Sequence, residues 1–503
     1  MVPVVIDIGR FIQAGDKYVI RFTRAMTAGF LAIAGFVPAA VAAPDNPIEQ
    51  DLRPCFINGL KDRAECLALD VPLDYADPGG RQISIHAAVV RASGSAPEAD
   101  PIWVFAGGPG EAAAEYGALV RSVFSRVHKS RDIVLVDQRG TGKSNGLRCD
   151  VEPGRIVETL EEWTDIVRDC REAAGIDVRH FTMENVIRDM EAVRARLGYE
   201  RLNVWGGSWG TRTTALYLKR HPDRVRSIIV DGTAPPDLSL FETAPTSADR
   251  ALRLLIADCA ADAACAETYP NFEAQVAAYL AKADAGTLRY IGNDPVTGDA
   301  VDLPITFVAA VESIRSVMYS ADATVMLPFM INEADKGNLA PLAALMAGSA
   351  TLSSGMYVGA TLSIICGEEI PRVNEARLQA AAAESFARDS YYTYWKASCD
   401  GWQALPPAAD AHDPIASEVP ALILSGDLDP VTPPSMGEHW VNTFPNGRHI
   451  VTPGNGHITS RTACMPRLLA EFVNDLDVGA LDATCLDHLK RLPVITGLNG
   501  TVN

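Results

Sequence analysis

A serine set between glycines is the part of this sequence best suited to covalent chemistry. The motif GGSWG, residues 206–210, follows the apolar run 202–205, and residues 213–218 after it favour a helix. A strand that turns tightly into a helix leaves no room for neighbouring side chains, so glycines must flank the serine. The turn lifts the hydroxyl to a helix N-terminus, where N–H groups and the helix dipole favour negative charge. The pattern predicts that Ser208 is a nucleophile. The alternative is a glycine-rich turn without chemistry.

A nucleophilic serine needs a general base, and the base needs a carboxylate to orient it. Where the nucleophilic serine lies in such a strand-to-helix turn (the nucleophile elbow), the acid comes next in the chain and the histidine comes last. Each of the two lies on a loop after a later strand. The buried-strand signal 419–424 precedes two acids, Asp427 and Asp429. Of the nine histidines, only His457 stands in a glycine-rich turn after a strand near the C-terminus. We predict His457 as the base and Asp429 as its acid, with Asp427 stiffening the loop.

The negative oxygen formed when a serine attacks a carbonyl needs two hydrogen-bond donors. One is expected from the backbone N–H of Trp209, directly after the nucleophile. The apolar run 102–105 leads into AGGPG, residues 106–110, which is where the second donor of such a site belongs. We predict Gly108 as that donor, and Gly107 is the alternative.

The chain is long enough for one large catalytic core with an insertion. Its 503 residues are 48% hydrophobic and 21% charged. Strand signals alternate with helical stretches up to about residue 230, which indicates a parallel sheet, and strand signals return at residue 419. The stretch between them is rich in alanine and favours helices. The predicted segments are a signal peptide (1–42), the first part of the core (43–234), a helical cap (235–411) and the C-terminal part of the core (412–503).

These motifs together resemble a known family. The segments GGPG (107–110), DQRGTGKS (137–144), GGSWG (206–210), GDLDPVTP (426–433) and the GxGH ending at His457 are similar to those of the proline iminopeptidase and tripeptidyl aminopeptidase group of α/β-hydrolases. Ala106 stands where proline iminopeptidases usually carry histidine, and this favours the secreted tripeptidyl-aminopeptidase branch. The resemblance implies an α/β-hydrolase fold: a mostly parallel sheet with helices on both faces and an inserted, mainly helical cap.

The same resemblance implies an aminopeptidase that acts on peptides with a free N-terminus. Such an enzyme must recognise an α-ammonium group, which calls for a desolvated carboxylate near the serine. Glu368 and Glu369 follow Cys366 directly after an apolar run, and an acid follows the corresponding cysteine in the tripeptidyl-aminopeptidase branch. We predict these two glutamates as the ammonium site. A helix cap or a surface ion pair is the alternative for them.

The N-terminus has the pattern of an export signal. Arg21 and Arg24 precede an apolar run at 25–37, and small residues follow at 39–43. Cleavage after Ala42 or Ala43 would give a periplasmic or secreted protein without stable membrane insertion. An uncleaved anchor is the alternative, but the run is short for about 30 Å of hydrocarbon. The ten cysteines suggest disulfides in an exported chain, and their connectivity cannot be deduced from the sequence.

Charge and missing motifs exclude several function classes. The net charge of −19 disfavours nucleic acid and anionic membranes as partners. The sequence contains no P-loop, no CxxC pair and no metal-ligand pattern, so we expect no cofactor and no metal. A carboxylesterase or lipase with the same triad is the main alternative. A dehalogenase or epoxide hydrolase would need a carboxylate at the elbow, and a non-catalytic binding protein would not need the triad. The oligomeric state cannot be predicted.

Overall fold

The computed structural model describes residues 51–149, 160–353 and 355–497, so the predicted signal peptide lies outside the described residues. The strands are β1 (Arg53–Cys55), β2 (Ala64–Pro72), β3 (Gln82–Val90), β4 (Ile102–Phe105), β5 (Ile133–Val136), β6 (Leu202–Gly207), β7 (Val225–Asp231), β8 (Arg289–Asn293), β9 (Ala300–Pro304), β10 (Ala421–Gly426) and β11 (Gly447–Thr452). The helices are α1 (Gly117–Ser122), α2 (Leu160–Ala173), α3 (Met183–Leu197), α4 (Trp209–Arg220), α5 (Leu240–Ala261), α6 (Ala263–Thr268), α7 (Phe272–Asp284), α8 (Phe307–Val317), α9 (Ala321–Thr324), α10 (Leu327–Asp335), α11 (Ala340–Ser353), α12 (Val358–Ile364), α13 (Glu375–Ala383), α14 (Ser390–Asp400), α15 (Pro434–Val441) and α16 (Met465–Asp475).

Nine of these strands form one sheet in the order β1-β2-β3-β5-β4-β6-β7-β10-β11. The pairs from β1 to β5 are antiparallel, and every pair from β5 to β11 is parallel. Parallel strands end at the same edge of a sheet, so the loops after β4, β6, β10 and β11 lie together. These are the loops that carry the predicted oxyanion donor, serine, acid and histidine.

Side chains alternate along the central strands and bury both faces of the sheet. In β4, Trp103 and Phe105 pack into one core layer, while Ile102 and Val104 pack into the other. Helices α3 and α4 cover the first layer, and α1 and α16 cover the second. This burial on both faces explains why the strands consist of nearly continuous apolar runs. The predicted mostly parallel sheet with helices on both faces is confirmed.

The chain between β7 and β10 is mainly helical, and its residues belong to two cores. Buried side chains from Ala248 to Leu342 pack with one another in a separate core. The two-stranded β8–β9 hairpin lies within this part. It was not predicted from the sequence. Side chains of α12 to α14, such as Leu362, Leu378 and Tyr392, instead join the core layer on the sheet. The inserted segment is therefore partly separate from the sheet and partly continuous with it.

All ten cysteines are paired in disulfides. Each cysteine pairs with its neighbour in sequence, in the bridges Cys55–Cys66, Cys149–Cys170, Cys259–Cys265, Cys366–Cys399 and Cys464–Cys485. Each bridge closes a loop of at most 33 residues, and a bridge of this kind typically stabilises a fold by about 2–4 kcal/mol. Among the helices of the described residues, none is both long and apolar enough to cross a membrane.

Candidate active site

Ser208 lies in the turn between β6 and α4, and its backbone is strained. Its φ of 54° and ψ of −122° are rare for a residue with a side chain, and strain of this kind costs about 1–3 kcal/mol. The Ser208 N–H donates to the carbonyl of Asp231, at 2.8 Å, which holds the turn against β7. A side chain at Gly210 would run into the backbone of Phe105. The glycine is thus required because β4 and the elbow touch at this point.

His457 and Asp429 meet at the ends of β11 and β10. His457 Nδ1 lies 2.7 Å from Asp429 Oδ2, and the Asp429 side chain is completely buried. The backbone N–H groups of Val431 and Thr432 donate to Asp429 Oδ1, at 2.8 and 2.9 Å, and the Thr432 hydroxyl donates to Oδ2. The carboxylate therefore has a fixed orientation toward the imidazole. Asp427 does not contact His457, and its side chain accepts from the N–H of Asn455 at 3.2 Å.

Charge and hydrogen bonding tune the two titrating groups in opposite directions. Burial on its own lowers the pKa of His457, but the Asp429 charge and hydrogen bond outweigh it and raise that pKa above its ordinary value. Burial on its own raises the pKa of Asp429, but His457 and the donors of Thr432 hold that pKa below its ordinary value. His457 Nε2 is buried and has no hydrogen-bond partner in the described part of the chain. A buried nitrogen without a partner is suited to accept a proton.

In the loop after β4, the backbone N–H groups of Gly107 and Gly108 differ in their hydrogen bonding. The N–H of Gly107 is engaged, because it donates to Glu111 Oε2 at 3.1 Å and lies 3.3 Å from the Tyr116 hydroxyl. Gly108 is exposed and has a φ of 105°. Within the described chain, neither its N–H nor that of Trp209 has an acceptor. This geometry favours Gly108 over Gly107 as the predicted second donor.

The DQRG motif supports this loop, a role that the sequence did not reveal. The side chain of Gln138 donates to the carbonyl of Ala106, at 3.3 Å. Asp137 accepts from the N–H of Ala114, at 2.9 Å, just beyond the loop. Both side chains start at the end of the neighbouring strand β5. The motif therefore holds the backbone from which the predicted oxyanion donor comes.

A second buried carboxylate, Asp231, connects the elbow to the histidine loop. Its side chain accepts from the N–H groups of Thr459 and Ser460, at 2.9 and 2.7 Å, while its carbonyl binds the Ser208 N–H. The Ser460 hydroxyl also donates to it and accepts from Trp205 Nε1 at 3.0 Å. Burial raises the pKa of Asp231. We missed this residue in the sequence, where its only signal is an acid that ends an apolar strand.

The inserted segment touches the site at two points. In the part with its own core, the carbonyl of Tyr319 accepts from the His457 N–H at 2.9 Å. The Tyr319 ring stands edge-on to the imidazole, with centroids 5.3 Å apart. In the part that shares the sheet's core, the Thr361 hydroxyl donates to the carbonyl of Pro109. The N–H of Tyr357 donates to the carbonyl of Gly110 at 2.8 Å. The insertion thus contacts both the base and the oxyanion loop.

The two glutamates predicted to bind an ammonium group are buried in a π-helical turn, Ile365–Glu369. Glu369 forms ion pairs with Arg212, one helical turn after Ser208, and with Arg372. Glu368 accepts from the N–H of Met183, at 2.8 Å, and burial raises its pKa to about 8. Both carboxylates are therefore engaged or neutralised by the protein itself, and their binding of a substrate remains a prediction. In the described chain, no group of acids, histidines and cysteines could hold a metal ion.

Comparison with known proteins agrees with this architecture. A family model described as the alpha/beta hydrolase fold matches residues 100–254, and one described as a TAP-like protein matches residues 385–485. The tripeptidyl aminopeptidase of Streptomyces coelicolor is 31% identical over 191 residues, which cover 34% of this chain and 35% of that protein. Serine protease Hip1 of Mycobacterium tuberculosis is 29% identical over 223 residues, covering 40% of this chain and 42% of that protein.

A third relative carries a different name. Carboxylesterase B of Mycobacterium tuberculosis is 29% identical over 224 residues, which cover 40% of this chain and 43% of that protein. The chain thus matches less than half of the length of each of these relatives. The sheet order, the strained serine turn and both family models nevertheless agree on one classification. The chain has the α/β-hydrolase fold, and parts of its sequence are similar to a TAP-like family model and to tripeptidyl aminopeptidases.

Proposed function

We propose that this protein is a serine hydrolase that removes residues or tripeptides from the free N-terminus of peptides. The observation that carries the proposal is the arrangement of Ser208 and the His457–Asp429 pair at one sheet edge. His457 Nε2 takes the hydroxyl proton as Ser208 attacks the peptide carbonyl, and Asp429 stabilises the imidazolium. The N–H groups of Gly108 and Trp209 bind the oxyanion. His457 then protonates the leaving amine, and water hydrolyses the acyl-enzyme.

Export is part of the same proposal. The N-terminal pattern of basic, apolar and small residues matches a cleavable signal, and five disulfides suit an oxidising compartment. The proposed location is therefore the periplasm or the medium outside the cell. Removal of residues 1–42, which hold four basic and two acidic groups, would take the net charge to −21. Such a charge favours soluble peptides over nucleic acid as partners. No step of the proposed reaction needs a cofactor.

A carboxylesterase or lipase is the second candidate. The same triad and oxyanion donors hydrolyse esters, and one of the relatives is named as a carboxylesterase. The two candidates differ in whether a charged N-terminus is recognised next to the serine. Fold and triad do not decide this question, because both activities occur on this fold.

The test compares two fluorogenic peptides that differ only in N-terminal acetylation. The mature protein is assayed beside Ser208→Ala, which is expected to lose about 10⁶-fold in kcat by analogy with other dissected triads. Hydrolysis of the free-amine peptide alone, abolished in the variant, would support the aminopeptidase. Hydrolysis of a short-chain ester but of neither peptide would contradict it and support the esterase. Equal turnover by Ser208→Ala would contradict both.

A further inference from the structure

Glu111, directly after the GGPG loop, places a carboxylate beside the nucleophile. A β-carbon on Gly107 would lie 3.0 Å from Glu111 Oε2 and 3.1 Å from Ser208 Cβ. The carboxylate and the serine side chain therefore border the same small space. The charge of Glu111 is also close enough to His457 to contribute to raising the pKa of that imidazole. Glu111 has no part in the proposed triad or in the proposed oxyanion hole.

Hydrogen bonds fix the position of the Glu111 carboxylate. Its Oε2 accepts from the N–H of Gly107, at 3.1 Å, and from the hydroxyl of Tyr116. The ring of Tyr116 stands edge-on to that of Trp205, in the strand that leads to Ser208, with centroids 6.5 Å apart. Glu111 itself is half-buried. These contacts fix Oε2 and leave Oε1 without a protein donor among the described residues.

Among the described residues, the Glu111 carboxylate has no ion-pair partner. No lysine, arginine or histidine of the described chain lies within 4.0 Å of it. The two glutamates of the π-helical turn differ in this respect, since Glu369 is paired with Arg212 and burial raises the pKa of Glu368 to about 8. Glu111 is therefore the carboxylate at the site whose charge remains to be compensated.

An anion at this place favours the protonated form of His457 but opposes a negative charge on the substrate. The attack by Ser208 creates a negative charge on the substrate oxygen, and a negative charge on the neighbouring Glu111 carboxylate repels it. A cation brought by the substrate would remove this repulsion. We propose that Glu111 binds the α-ammonium group of the substrate residue whose carbonyl Ser208 attacks. The proposal deepens and rests on the proposed aminopeptidase function.

The position of Glu111 also sets the length of the fragment that is released. In an amino acid, the α-nitrogen is two bonds from the carbonyl carbon, so the ammonium of the attacked residue lies close to Ser208. The N-terminus of an extended tripeptide would lie about 10 Å away, since each residue spans about 3.3–3.6 Å. A carboxylate beside Ser208 cannot reach that far. Glu111 therefore selects single N-terminal residues, released one at a time.

The test measures kcat/KM for an alanyl coumarin amide with a free α-amine and for its N-acetyl derivative. Glu111→Gln keeps an oxygen that accepts from Gly107 and Tyr116 but removes the charge. We expect it to lower kcat/KM for the free-amine substrate by about 10- to 100-fold without lowering it for the acetylated one. Glu115→Gln, an exposed glutamate in the same short segment, is the matched control and is expected to change neither substrate.

Several results would overturn the proposal: equal loss on both substrates, no loss on the free amine, or release of intact tripeptides from a tetrapeptide. A selective loss in the double variant Glu368→Gln, Glu369→Gln, absent from Glu111→Gln, would also overturn it. If Glu111→Gln does not fold, Glu111→Asp replaces it. The shorter acid retains the charge, and a selective loss of free-amine hydrolysis supports the proposal, while an equal loss on both substrates overturns it.

The proposed aminopeptidase function can be wrong independently of the ammonium site at Glu111. If the unaltered protein hydrolyses neither amide, the aminopeptidase reading is wrong, and the comparison is repeated with alanyl and acetyl-alanyl esters. A selective loss of the alanyl ester in Glu111→Gln would then support an ammonium site in an esterase. Equal turnover of both esters by the unaltered protein would overturn the ammonium site as well.

Discussion

The sheet edge and the inserted segment contribute to the site in different ways. The loops after β4, β6, β10 and β11 supply every side chain and N–H group of the proposed reaction. The insertion instead binds the backbones of those loops, through the Tyr319 carbonyl at His457 and through Thr361 at Pro109. Reacting groups thus come from a rigid parallel sheet, where position is set by strand register. Part of their support comes from the inserted segment, and part comes from sheet-edge residues such as Asp231 and Gln138.

The two parts of the insertion also differ from each other. Residues from Ala248 to Leu342 have their own core, so this part contacts His457 through Tyr319 without being part of the sheet's packing. Helices α12 to α14 are packed into the same core layer as the sheet, and the bridge Cys366–Cys399 connects the π-helical turn after α12 to α14. This second part therefore packs with the sheet, and the cap boundaries of 235–411 stay a prediction.

The largest effect is expected at the sheet edge itself. Asp429→Asn should lower kcat by about 10⁴-fold, because the wrong tautomer of His457 is then favoured. Asp427→Asn, two residues away and without a contact to His457, is the matched control and should keep most of the activity. Steady-state kinetics on the same substrate measure both. A comparable loss of kcat in the two variants would show that the substitutions disturb the loop, and it would contradict a specific role for Asp429.

The pH profile sharpens the same prediction. The active form carries neutral His457, so kcat/KM rises with pH through the pKa of that imidazole. Asp429 raises this pKa, so the acidic limb of the unaltered protein should lie above the ordinary histidine value of about 6.5. Asp429→Asn should move the limb toward lower pH. If the acidic limb of the Asp429→Asn profile does not move, the assignment of Asp429 as the partner of His457 is contradicted.

A smaller loss is expected at the residue that ties two sheet-edge loops together. Asp231→Asn replaces one acceptor oxygen by an amide that faces the N–H groups of Thr459 and Ser460. The histidine loop should shift, and a displacement near 1 Å costs about 10²-fold in kcat. KM should change little, because Asp231 does not border the substrate. Asp223→Asn, an exposed acid before the same strand, should leave both constants unchanged.

The smallest effect is expected where the insertion holds the oxyanion loop. Thr361→Val removes one hydrogen bond to the carbonyl of Pro109, and a bond of this kind contributes about 0.5–1.5 kcal/mol. We expect kcat to fall between about twofold and tenfold. Thr361→Ser keeps the hydroxyl and should restore the rate. A loss as large as that of Asp231→Asn would show that the insertion is as important for geometry as the sheet edge.

Local patterns in the sequence were sufficient to predict which loops follow the parallel strands of the sheet. Ser208, Asp429 and His457 each follow an apolar strand, and strand register brings such loops together without further information. The choice of Asp429 over Asp427 rested on its place at the tip of the turn, and the structure puts it against His457. The catalytic role of all three remains a prediction that kinetics must test.

Contacts between distant parts of the chain could not be predicted. Glu369 looked available in the sequence, but Arg212, 157 residues earlier, neutralises it. Asp231 accepts from a loop 228 residues later. Glu111 is close in sequence to the predicted oxyanion loop, yet only the fold brings it to Ser208. The β8–β9 hairpin was missed because its short strands lie within a stretch where alanine-rich helices dominate the pattern.

The hydrogen bond from His457 to Tyr319 limits how this protein can be shortened. Residues 248–342 have a core of their own. Such a segment invites removal or exchange in order to alter access of substrates to the site. Cutting the segment out would also remove the carbonyl that holds the backbone of the base. A trimmed version would keep the sheet and lose the alignment of its histidine. Engineering of access should therefore keep the turn around Tyr319 and vary the helices before it.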